Sequence, residues 1–220
     1  MKALKGLVVM SPDLEALTSA VFDNRVPDMW GAKAYPSMKP LSSWVADLIE
    51  RCQFIQGWVD NGPPPVYWIS GFFFPQAFLT GTLQNMARQK GLPIDAIAFE
   101  FEVIDDKSIG DIKDGPEVGC YVRGLFLEGA AWDAVEHSLS SSRPKELYSE
   151  MPVIWFRPTQ EKKMKENIYN CPVYKILTRA GTLSTTGHST NFVMYIEIPT
   201  TRPASHWINC SAALFCSLAF

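Results

Sequence analysis

Up to about residue 92 the apolar positions recur every three or four residues, as on a helix face; beyond it they alternate, as along a strand. Ser11-Pro12-Asp13 opens a first helix, with a hydroxyl to cap it, proline at the first helical position and an acid favoured by the helix dipole. Leu14, Leu17, Val21 and Phe22 carry it on at helical spacing. After Pro40, a longer helix sets Leu41, Trp44, Val45, Leu48, Ile49, Cys52, Ile55, Trp58 and Val59 on one broad apolar face, which reads as core packing. Asn61-Gly62 and Pro63-Pro64-Pro65 end it. A third helix starts near Pro75 and runs through Phe78, Leu79, Leu83 and Met86 to a Gly91 cap.

Past Pro93, Ile97, Phe99, Phe101 and Val103 alternate with Ala98, Glu100 and Glu102. That predicts a strand with the first set in the core and the two acids facing outward. Phe192, Met194, Ile196 and Ile198 repeat the pattern near the end. Shorter strand-like runs cover residues 118–127, 152–156 and 173–177, parted by Gly and Pro clusters as in an antiparallel sheet or small barrel. The sequence therefore reads as α+β, with a helical subdomain over residues 1–92 packed against a β-rich, barrel-like subdomain over residues 93–220.

Composition narrows the partners. In 220 residues, 47% are hydrophobic and 12% aromatic, including 7 Trp and 13 Phe; that is material for a packed core and unlike a disordered chain. The net charge is −3 and no block of Lys or Arg occurs, so neither nucleic acid nor an anionic membrane is an expected partner. The greasiest stretch, residues 66–81, is interrupted by Ser70-Gly71 and Pro75-Gln76, and the apolar run from Leu7 to Met10 is short for a signal peptide; no membrane segment is expected. Five scattered cysteines (Cys52, Cys120, Cys171, Cys210, Cys216) form no CxxC pair and read as reduced thiols of a cytosolic protein.

Candidate chemistry is sparse. Gly119 to Gly124 is the nearest approach to a phosphate loop, but it lacks the Lys-Ser/Thr pair and sits in a strand pattern. Ser184-Thr185-Thr186-Gly187-His188-Ser189-Thr190-Asn191 offers Ser184 or Ser189 as a nucleophile; the simpler reading is a turn whose hydroxyls and amide bond local backbone. His206 and Cys210, four apart, are spaced for a metal on a helix, but a tetrahedral site needs further ligands and only scattered candidates such as His137 and Cys216 remain. Residues 161–166 read as a solvated charged loop. Phe72, Phe73 and Phe74 stand out, because three consecutive aromatics cannot all face one core, so some are candidates for an interface. No catalytic, cofactor or metal residue is expected in the segment.

Longer strings carry a resemblance. Val26-Pro27-Asp28-Met29-Trp30, residues 35–41, residues 62–81, residues 124–130 and Gly181 to Asn191 are similar, in order, to the C-terminal region of dynein heavy chains. The 184–191 string resembles axonemal members, inner-arm types above all. The resemblance implies helices followed by an incomplete β-barrel, lying on the AAA+ ring of the same heavy chain. It implies a minus-end-directed motor of cilia and flagella, cytoplasmic and cytoskeletal, located in the axoneme. ATP and magnesium then belong to the parent motor, microtubules are met only through the parent polypeptide, and other dynein-complex subunits are further partners. The implied role is regulatory and structural, with no nucleotide site in this segment. The competing class is an interaction domain that recruits another axonemal protein through residues 72–74 or the β-half, with a small hydrolase as the third. The end departs from the family: Cys210-Ser211 stands where an Arg-Gly pair is usual, and Leu218-Ala219-Phe220 replaces a polar tail, which predicts an adhesive sheet edge.

Overall fold

A computed structural model describes residues 2, 5–162, 165–181 and 190–220. Helix α1 (Pro12–Phe22) begins as its sequence dictates: the Ser11 hydroxyl accepts from the Leu14 N–H at 3.4 Å, and Pro12 fills the first turn. A single turn, α2 (Asp28–Gly31), precedes the long α3 (Leu41–Asn61), which stops at Gly62 with φ at +85°. Strand β1 (Val66–Trp68) and a tight turn lead into α4 (Pro75–Lys90), which Gly91 closes in the left-handed conformation.

The strands follow: β2 (Ala98–Ile104), β3 (Cys120–Arg123), β4 (Phe126–Glu128), β5 (Ala131–Asp133), β6 (Ser138–Ser140), β7 (Tyr148–Glu150), β8 (Val153–Thr159), β9 (Ile168–Tyr174), β10 (Phe192–Pro199) and β11 (Ala213–Phe215). Helix α5 (Ala204–Asn209) lies between the last two. One sheet has the order β1-β3-β8-β2, a second β10-β9-β11-β4-β7, and β5 and β6 form a hairpin. The backbone passes from the first sheet to the second between β3 and β4, where Gly124 turns with φ at +81°. A Cβ at Gly124 would lie 2.6 Å from the Trp68 ring, so only glycine fits that corner. Among the described residues the strands close into no complete barrel; the fold is α+β with an incomplete barrel, as expected.

Three expectations need correcting. The sheets are mixed rather than antiparallel: β1 pairs with β3 in parallel, and so does β11 with β9. Glu100 does not face water. The residue is 4% exposed and its carboxylate meets Arg157 Nη2 at 2.5 Å, while Glu102 is exposed and Ile97, Phe99 and Phe101 are buried as predicted. The second face of β2 is thus partly covered, and a charged pair meets that burial. Nor is the final strand an edge: β11 sits at the centre of its sheet, every residue buried, between β9 and β4. An interior strand is apolar because both of its faces are covered.

The core spans both sheets and reaches into the helical half. Val122, Leu127, Ile154, Ile198 and Leu214 are fully enclosed and form one cluster with Ile69 and Leu79. Trp207 of α5 seals one side, its indole N–H donating to Thr200 Oγ1 at 2.6 Å. No helix among the described residues is long and apolar enough to cross a membrane.

Candidate docking face

Helix α3 carries a wider apolar arc than the body beneath it can cover. Trp44, Asp47 and Arg51 are buried, with Phe54 and Trp58 half-buried beside them, along one line of three- and four-residue steps. Val45, Ile49, Cys52, Ile55 and Val59 run alongside and remain exposed, Ile49 by 51% and Val59 by 74%. The reading of this whole stripe as core packing is therefore corrected: half of it faces solvent. The inward line is not purely apolar either, since it holds an ion pair.

That pair sits under the N-terminal arm. Arg51 Nε donates to Asp47 Oδ2 at 2.7 Å, Lys39 Nζ lies 3.4 Å from Asp47 Oδ1, and the Arg51 guanidinium stacks 3.6 Å above the Tyr35 ring. Burial works against the Asp47 charge, but hydrogen bonds from Tyr35 and Arg51 and the cations of Arg51 and Lys39 outweigh it. The carboxyl is held below its usual range. The Tyr35 phenol is pushed up, by burial first and by Asp47 second.

The segment after β1 completes the face. Gly71 lies under α3, where a Cβ would fall 2.5 Å from Phe54 Cδ1. Phe72 turns inward, stacked on Phe78 with ring centres 4.2 Å apart and edge-on to Phe54 and Trp58. Phe73 and Phe74 project, 45% and 58% exposed. Phe73 touches the Tyr35 ring edge-on at 5.2 Å, and Lys175 Nζ lies 5.3 Å from the centre of the Phe74 ring. Between α3 and this segment runs an apolar groove of about 610 Å³, lined by Cys52, Ile55, Val59, Phe73, Phe74 and Ala77 among others. Of the three phenylalanines singled out by sequence, Phe72 is half-buried in the ring cluster while also lining the groove, and Phe73 and Phe74 are exposed. On the N-terminal arm Phe22, Met29 and Trp30 are also exposed, and Trp30 stacks on Trp44 of α3 with ring centres 6.3 Å apart.

The other candidates are dispersed. Gly119 and Gly124 bracket β3 and serve the sheet. Ser184 and Ser189 lie outside the described residues. Asn191 at the end of that string is buried and uses its amide on backbone, accepting from Ile176 N–H at 3.2 Å and donating to the Ile176 carbonyl at 3.3 Å. His206 Nε2 is 3.8 Å from Cys210 Sγ but 2.9 Å from Arg202 Nη1, a cation where a metal would have to sit. His137 pairs instead with Asp105 at 2.9 Å, Cys216 is buried, and no cluster of three metal-holding side chains forms among the described residues.

The fold and this face define an α+β module whose chief exposed chemistry is an aromatic and aliphatic surface. Residues 1–216 match the family model of the C-terminal domain of the dynein heavy chain. The sequence is 57% identical to dynein axonemal heavy chain 1 of Homo sapiens over 100% of its own length and 5% of that protein. It is 51% identical to dynein axonemal heavy chain 3 of Homo sapiens over 99% of its length, again 5% of the relative. With dynein axonemal heavy chain 12 of Homo sapiens the identity is 48% over 99% of its length and 7% of the relative. The protein belongs to the family of C-terminal domains of dynein heavy chains, and it spans about a twentieth of the length of these relatives.

Proposed function

We propose that this protein is the C-terminal module of an axonemal dynein heavy chain, an ATP-driven microtubule motor of cilia and flagella, and that the module itself is non-catalytic. It packs on the AAA+ ring of its own heavy chain and biases the conformations of the motor. The observation that carries this reading is the exposed apolar face of α3 with Phe73 and Phe74. Apolar surface of this extent on one side of a domain marks an interface, and the curated relatives are proteins of which this segment is a small part. A module without catalytic groups alters an ATPase only by binding its states unequally.

Changing Phe73 and Phe74 to Ser in the whole motor tests this. Velocity, force or run length should shift while basal ATP turnover persists; unchanged motility would remove these side chains from the interface. The 220 residues alone should give a flat calorimetric titration with Mg-ATP, because they lack a lysine-bearing phosphate loop. Saturable micromolar binding at one site per molecule would show that the segment holds nucleotide.

A further inference from the structure

At one end of the groove, cations outnumber anions. Arg51, 3% exposed, and Lys175 line the same small void, which opens beside Phe73. A single carboxylate, that of Asp47, serves both Lys39 and Arg51. Lys175 has none: among the described residues, which include every Asp and Glu of the protein, no carboxylate reaches ion-pairing distance of its ammonium. The other acids at the void are the Cys216 thiol, which burial pushes up to about 12 against the pull of Arg51 and Lys175, and the Tyr35 phenol, which burial and Asp47 also push up, so both stay neutral. Burial also pulls the Lys175 ammonium below its usual range. A half-buried cation without a counter-ion lowers stability unless something outside the molecule supplies the charge.

The size of the void selects that charge. It measures about 20 Å³, room for one water-sized group. One oxygen of an anionic group fits it, and a whole nucleotide does not. The approach runs over Phe73 and Phe74, so the group must arrive on an apolar carrier.

We propose that the void between Arg51 and Lys175 is an acid-binding notch. It takes the carboxylate of an aspartate or glutamate on an apolar segment of the same heavy chain, whose hydrophobic side chains fill the groove between α3 and Phe74. This rests on the docking reading above. It adds the chemistry of the partner: the surface that meets this module is apolar with one acid at a fixed end. The pairing fixes register, since a carboxylate inserted elsewhere along the groove meets no second cation, only apolar side chains, the Cys52 thiol and the neutral Gln56.

The test is photo-cross-linking in the heavy chain that holds this segment, with Val59→p-benzoylphenylalanine as the probe within the groove. The expected product joins Val59 to a heavy-chain segment that contains an Asp or Glu. Lys175→Gln should lower its yield about tenfold, the scale of one desolvated charge contact, and Lys175→Arg should retain it. A cross-link that ignores Lys175→Gln, or that lands on a segment without an acid, overturns the notch and leaves the docking reading standing. No cross-link to the heavy chain, or one to a different polypeptide, overturns the docking reading and the notch with it. In the 220-residue protein, Lys175→Met should keep or raise the melting temperature. A fall would mean that the ammonium already has a partner within the molecule, which also overturns the notch.

Discussion

Asp47 and Arg51 lie one helical turn apart, and at 6% and 3% side-chain exposure neither can fall back on water if the other is lost. Replacing Asp47 with Ala strands the guanidinium among Tyr35 and Trp68, and should cost about 3–5 kcal/mol in denaturant unfolding. The sign with pH follows from the lowered carboxyl. A group whose folded pKa is depressed stabilises above its unfolded value of 3.8 and loses that contribution as pH falls through the folded value. Stability should therefore drop below about pH 4, and Asp47→Asn should flatten that part of the curve; an unchanged acid limb would show that Asp47 is not the group responsible. Phe101→Ala, which removes a ring edge-on to Phe156 at 5.1 Å, should cost about 3–5 kcal/mol. Glu100→Ala should cost less, about 1–3 kcal/mol, because Arg157 is 41% exposed and can be rehydrated. Alternation along β2 located Ile97, Phe99 and Phe101 correctly. It failed at Glu100, because a two-residue period describes a sheet wet on one side, and this strand is partly covered on both.

Among the elements, α3 shows what periodicity can and cannot read. Caps and breakers placed α1, α3 and α4 within a residue or two, since Ser11-Pro12, Pro40, Asn61-Gly62 and Gly91 act locally. The direction in which the α3 stripe faces is not local. An apolar residue set for a core and one set for a partner obey the same spacing, and only the packed body shows that Val45, Ile49 and Val59 have nothing over them. Strands β1, β7 and β11 were invisible for a different reason: three residues are too few to carry a period, and their pairing is long-range. The run at residues 173–177 overlaps only the end of β9, and a bulge between Phe192 and Met194 shifts the β10 pattern, leaving Ile196 and Ile198 as its buried residues. Substitutions in the ring cluster and on the exposed stripe make the distinction measurable. Phe72→Ala, at the centre of the ring cluster, should cost about 3–5 kcal/mol. Ile49→Ser and Val59→Ser, on the exposed stripe, should stay within about 0.5 kcal/mol of the parent. A large loss at Val59 would mean that the stripe is covered within this molecule.

At the scale of the whole molecule, the division near residue 92 is a change in local pattern that the core does not respect. Val66 to Trp68 form a strand of the first sheet, and Ile69 and Leu79 join the same cluster as Leu127, Ile198 and Leu214. Elements that share one core cannot open separately without exposing each other's apolar surface. The protein should therefore unfold as one cooperative unit, and its cysteines report on this without added labels. Cys52 and Cys210 are exposed; Cys120 lies in β3 of the first sheet, Cys171 in β9 of the second, and Cys216 just after β11. With a thiol reagent under native conditions, two groups should react at once and three should wait. The three should then be released at a single rate that matches global unfolding measured by circular dichroism. Burial pushes the Cys120 and Cys216 thiols up to about 12, which holds them as unreactive thiols until water enters. Release of Cys120 ahead of Cys171 and Cys216 would show that the sheet bearing β1 opens alone, and that the helical half with its attached strands is a separate unit.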